Sequence, residues 1–132
     1  MPGAVRPEQR PIAPHLSIWR WHVTMAASIL HRVSGVGLYV AAILFTVWLI
    51  AIASGPEAYG PINLLLSSLI GQIGLFLLVA ALAYHFAQGV RHLVFDFGHG
   101  LKPPDADASA WFAILFGIAA PLGLWAFLMF GR

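Results

Sequence analysis

The chemistry of this chain concentrates in one stretch: His85-x3-Gly89-x-Arg91-His92-x3-Asp96-x-Gly98. At helical spacing His85, Gly89, His92 and Asp96 fall at i, i+4, i+7 and i+11, one stripe on one helix face. The surrounding residues are apolar, and ionisable groups are expensive inside a bilayer, so they mark functional sites there by default. The stripe sets one imidazole deep, a gap without a side chain one turn later, and a second imidazole nearer the surface. A flat cofactor such as haem needs this arrangement: a ring nitrogen to ligate iron and a glycine that lets the macrocycle approach the backbone. The competing reading of His85 is a histidine hydrogen-bonded to a neighbouring helix. No other histidine in the chain lies comparably deep, so a second axial ligand has to come from another subunit.

A second cluster lies in Ser28-Ile-Leu-His31-Arg32-Val-Ser34-Gly35. Ser28, His31 and Arg32 at i, i+3 and i+4 share a face and can donate to a propionate or a quinone carbonyl. Taken singly, Ser28 reads as a helix N-cap and Arg32 as a snorkelling anchor. His92 reads either as a pocket or proton-handling residue or as an interfacial histidine. Arg91 points about 120° off the stripe, which suits an orientation charge or a partner contact, and Asp96 could pair with it. His15, His22 and His99 carry no assigned role.

Long apolar segments must position these residues. The chain of 132 residues is 60% hydrophobic and 9% charged, where a soluble domain carries roughly 25% charged residues. Positions 33–56, 58–90 and 108–131 contain no Asp, Glu, Lys or Arg, and roughly 20 mostly apolar residues span a bilayer as a helix. Three transmembrane helices are predicted, about 28–54, 63–95 and 109–130, following a polar Pro/Arg-rich lead at 1–27. Barrel strands, which are shorter and alternate in polarity, do not fit. The fold class is an all-α membrane protein, one domain of three helices over 28–132, contributing to a heteromeric bundle.

There is no cysteine, which excludes disulfides, thiolate metal sites and covalent haem attachment; any haem is non-covalent. The net charge of +2 does not indicate nucleic acid, because the basic residues flank the spans. Pro2, Pro7, Pro11 and Pro14 make the lead an extended segment, suited to draping over a partner. Neither a signal peptide nor a transit peptide fits it. Trp19, Trp21 and His22 sit where an interfacial aromatic belt lies. Residues 54–61 read as a compact turn. Pro103-Pro104 reads as a stop, with Asp107 or Ser109 capping the third helix, in which Pro121 is tolerated. Arg6, Arg10, Arg20, Arg32, Arg91 and Lys102 lie on one side of the membrane and only Arg132 on the other. The N-terminus and second loop are therefore expected in the cytoplasm and the C-terminus outside, which brings the two clusters to the same face.

Three motifs, in order, carry a resemblance: Arg10-Pro-Ile-Ala-Pro-His-Leu-Ser-Ile-Trp19, Ser28-Ile-Leu-His31-Arg32-Val-Ser-Gly35, and His85-x3-Gly-x-Arg-His-x3-Asp96. From about Arg10 to Gly98 the chain resembles the cytochrome b556 membrane-anchor subunits of succinate dehydrogenase. It departs from them at Ala13, where Ser is usual, and at Trp19, where Tyr is usual. The resemblance implies a bacterial inner-membrane complex in which a flavoprotein oxidises succinate and an iron–sulfur protein relays the electrons. Two membrane anchors complete a ubiquinone site near the cytoplasmic face. It implies that His85 is an axial ligand of one haem b shared with a histidine of the second anchor, and that Ser28 and Arg32 bind quinone. His31, Arg32 and His92 would then line the haem pocket and meet its propionates. No succinate-oxidising chemistry is expected in this chain. The alternatives are a quinol:fumarate reductase anchor, a haem-free structural anchor, and a small transporter, for which the inverted repeats or broken helices are missing.

Overall fold

A computed structural model of the chain describes residues 19–131, and every regular element among them is helical: α1 (Val23–Ser54), α2 (Pro56–Ser67), α3 (Leu69–Asp96) and α4 (Pro103–Phe130). The lead up to residue 18, with His15 and most of the expected partner-draping segment, lies outside the described residues.

Three of the helices are long and apolar enough to cross a membrane: α1, α3 and α4. At 1.5 Å per residue the 32 residues of α1 extend about 48 Å, more than the roughly 30 Å of hydrocarbon in a bilayer. Each of the three begins or ends away from its expected boundary, for a local reason.

The α1 helix starts at Val23, five residues before the expected 28, because His22 caps it. The His22 carbonyl accepts from the Met25 and Ala26 amides, and its ring Nδ1 accepts from the Thr24 amide at 3.4 Å. Ser28 is therefore an interior helical residue and not an N-cap.

The expected turn at 54–61 is mostly helix. Only Gly55, at φ 104, makes the turn; Pro56 then takes the first position of α2, where its missing N–H costs nothing and its fixed φ suits a helix. The expected continuous helix over 63–95 breaks at Ser68. That residue is extended, and its hydroxyl accepts from the Gly71 amide at 3.2 Å, capping α3. A Cβ on Gly71 would lie 2.7 Å from the Leu66 Cα, so the corner needs glycine.

At its other end α3 stops at Gly98, φ 77. The Gly98 amide donates to Phe95 O at 2.8 Å and the His99 amide to Val94 O at 3.1 Å, the paired bonds of a Schellman terminus. The α4 helix starts at Pro103, six residues before the expected 109. Pro103-Pro104 initiates this helix rather than ending the previous one, since neither of the first two positions needs an N–H. Asp107 and Ser109 lie inside it.

Few side chains are buried within the chain, and most of those are small: Ala27, Ala51, Ala110, Ala113, Gly117 and Pro121. Small residues let helix backbones approach where lipid supplies no hydrophobic drive. At the α3–α4 contact the approach is close: a Cβ on Gly117 would sit 2.7 Å from the Tyr84 Cβ. The large apolar side chains, Val36, Tyr39, Phe86 and Phe127 among them, point outward, to lipid or to other helices.

Candidate functional site

α1 and α3 run antiparallel and cross where the two sequence clusters meet. On α3, His85 is half-buried beneath α1, while His92 and Asp96 further along the stripe are exposed on this chain. The His31 ring stacks on the His85 ring with centroids 4.0 Å apart and planes inclined by 16°. The His92 ring centroid is 5.2 Å from that of His31. The Ser34 hydroxyl lies 3.1 Å from His85 Nδ1 and 2.9 Å from the carbonyl of His31. Gly35 completes the contact, since a Cβ there would come within 3.1 Å of His85 Cε1.

The register of this crossing is held by Tyr84, the residue before His85. Its buried hydroxyl donates to the Ala27 carbonyl, one helical turn before His31. Burying a phenol in a bundle requires such a partner, and here the partner is the helix that carries the second imidazole.

The expected site residues divide into two groups. His31, His85 and His92 come together. Ser28 is half-buried and Arg32 exposed, and neither side chain makes a hydrogen bond or ion pair among the described residues. Successive helical positions differ by 100°, so once His31 faces α3, Arg32 is directed away from the crossing. Gly89 leaves the expected gap: a Cβ there would meet nothing within 4 Å, so the stripe between the two imidazoles opens away from this chain.

Three residues behave differently from their sequence readings. Arg91 turns into this chain, against α4. It is 9% exposed, donates from Nε to Ser109 Oγ at 2.9 Å and from Nη2 to the Ala106 carbonyl at 3.0 Å, and lies 4.4 Å from the Phe95 ring centroid. It fastens α4 to α3, and Asp96 does not pair with it. His22, given no role, caps α1 and approaches Asp107 of α4 at 3.4 Å. Gln88 was overlooked. It is 0% exposed, and neither its Oε1 nor its Nε2 has a partner among the described residues. A polar side chain inside the apolar run 58–90 was the available signal.

Among the described residues no three metal-ligating side chains gather around one point. Stacked face to face, the His31 and His85 rings would not hold one iron between them.

A family model described as succinate dehydrogenase/fumarate reductase transmembrane subunit matches residues 6–124. The succinate dehydrogenase cytochrome b556 subunit of Paracoccus denitrificans is 36% identical over 101 residues, 76% of this chain and 78% of the relative. That of Rickettsia felis is 32% identical over 118 residues, 89% of this chain and 91% of the relative. The human mitochondrial succinate dehydrogenase cytochrome b560 subunit is 34% identical over 117 residues, 87% of this chain and 69% of the relative. With a match of that extent and membrane helices carrying the histidine cluster, the chain belongs to the family of succinate dehydrogenase/fumarate reductase transmembrane subunits.

Proposed function

We propose that this chain is the haem b-binding membrane anchor of a succinate:quinone oxidoreductase, helping to form the site where electrons from succinate reduce ubiquinone. The observation that carries the reading is the histidine cluster at the α1–α3 crossing. His85 is held through Nδ1 by Ser34, and no partner engages its Nε2 among the described residues. The stripe beside it is open at Gly89.

The residues fit a haem. His85 would hold it through a ring nitrogen, a second anchor subunit would supply another ligand, and His31, Arg32 and His92 would meet the propionates. When bound, haem b supplies a one-electron redox couple. The buried, unpartnered His31 Nδ1 is what a pocket residue awaiting an anionic or polar group looks like, since buried polar atoms otherwise find partners.

Ser28 and Arg32 lie one turn apart on α1 at the same end of the bundle. Ser28 donates a hydrogen bond to a quinone oxygen, and Arg32 stabilises the negative charge that develops there during reduction. Electrons reach this site from the iron–sulfur subunit, which the flavoprotein supplies; this chain positions the acceptor and carries no succinate chemistry. The lead and the α3–α4 loop lie on the cytoplasmic side of a bacterial inner membrane and the C-terminus on the periplasmic side, in keeping with the distribution of basic residues. The lead, 1–27, precedes the three-helix anchor domain of 28–132.

The test is a reduced-minus-oxidised optical spectrum of membranes expressing this chain with and without its partner anchor. A b-type signal that needs both chains and disappears in His85→Ala is expected. An unaltered low-spin signal in His85→Ala overturns the ligand assignment, and absence of any signal favours a haem-free structural anchor.

A further inference from the structure

The hydrogen-bond network around His85 discriminates between its two neutral tautomers. A serine hydroxyl has one hydrogen to donate and lone pairs to accept with. The hydroxyl of Ser34 lies 2.9 Å from the His31 carbonyl, which can only accept, so its single hydrogen is directed there. Its remaining contact, 3.1 Å to His85 Nδ1, is a hydrogen bond only when Nδ1 bears the hydrogen and the serine oxygen accepts it. Of the two neutral tautomers, only the one with the hydrogen on Nδ1 satisfies both contacts.

We propose that Ser34 is a positioning residue that holds His85 as the Nδ1–H tautomer, leaves its Nε2 lone pair free for iron, and raises the donor strength of that nitrogen. The inference rests on the reading of His85 as a haem ligand and adds a residue to it.

The surroundings of the ring support a positioning role. α1 bounds the imidazole on three sides: Ser34 at Nδ1, Gly35 close to Cε1, and the His31 ring over one face. The Tyr84 bond to Ala27 keeps the two helices in the register that these contacts require. A hydrogen bond accepted from the distal N–H of a ligating imidazole both orients the ring and makes it more basic, and loss of such a partner typically lowers metal affinity by about 10- to 100-fold. A more basic axial nitrogen favours the ferric state, so removing the acceptor should move the haem potential in the positive direction.

The experiment compares Ser34→Thr with Ser34→Val in the complete membrane complex, two substitutions of nearly equal shape that differ in the hydroxyl. Threonine in a helix also bonds a preceding carbonyl and so can reproduce both contacts. The readouts are haem content, midpoint potential and the low-spin electron paramagnetic resonance signal. Ser34→Thr is expected to match the parent. Ser34→Val is expected to bind haem about ten-fold more weakly, with a more positive potential and shifted g values. Identical potentials and g values in both variants overturn the proposal, as does Ser34→Thr behaving like Ser34→Val. His85→Ala run alongside separates the two levels. Haem retained in His85→Ala sinks the ligand reading itself. Haem lost there, with Ser34→Val indistinguishable from the parent, sinks only the role of Ser34.

Discussion

The two faces of α3 handle polar groups in opposite ways. Toward α4, Arg91 is buried with its guanidinium bonded to Ser109 and Ala106, and Tyr84 fits against Gly117 with no room for a methyl group. Toward α1, His31 keeps a buried ring nitrogen without a partner, and the stripe through Gly89 and His92 opens outward. The first seam is finished within this chain and the second is not. A buried charge bonded to its neighbours is part of the scaffold, whereas a buried polar atom without a partner marks a place where something else is to bind. Gln88, between Tyr84 and Arg91 on α3, breaks the pattern, being buried in the finished region and still unpartnered.

The comparison can be broken at each of its parts. The largest effect is expected from Arg32→Ala, which leaves the scaffold intact and removes charge stabilisation at the quinone. Ubiquinone reduction should fall about 100-fold, with succinate oxidation by soluble artificial acceptors largely retained. Equal loss of both activities would remove Arg32 from the site. Next, Arg91→Leu should destabilise the α3–α4 seam by about 3 kcal/mol through loss of charge-assisted bonds. Thermal unfolding of the purified complex would show it as a lowered midpoint, while the haem of surviving complex keeps its parent potential. A potential shift there would show that the two faces are not independent. The smallest effect is Gln88→Met, which replaces an unpartnered amide with an apolar side chain of similar length. It should raise stability by about 1 kcal/mol or leave it unchanged. A clear loss of stability would mean that the amide has a partner after all.

The division between the two faces also explains how far the residues alone could be read. The three spans follow from charge-free runs, and the stripe from a 3.6-residue period; neither depends on what lies opposite. The meeting of His31 with His85 followed from the antiparallel course of α1 and α3. What the chain's own pattern does not encode is the identity of the neighbour on each face. Arg91 was recognised as off the stripe, and that direction is the one that α4 occupies, so the residue that looked destined for a partner subunit is an internal fastener. The break at Ser68 and the start at Pro103 escaped for a different reason. Apolar residues continue through the first, and proline at the second reads equally as an end or a beginning until the position of the helix is known.

The hydroxyl of Tyr84 has a consequence for maturation of the complex. It links the turns of α1 and α3 that carry the imidazoles, so that wall is ordered by contacts within this polypeptide. A partner docking there would meet a rigid surface, and rigid surfaces associate with less entropy left to lose. The wall formed by His31 and His85 is thus set within a single polypeptide, ahead of whatever docks on it.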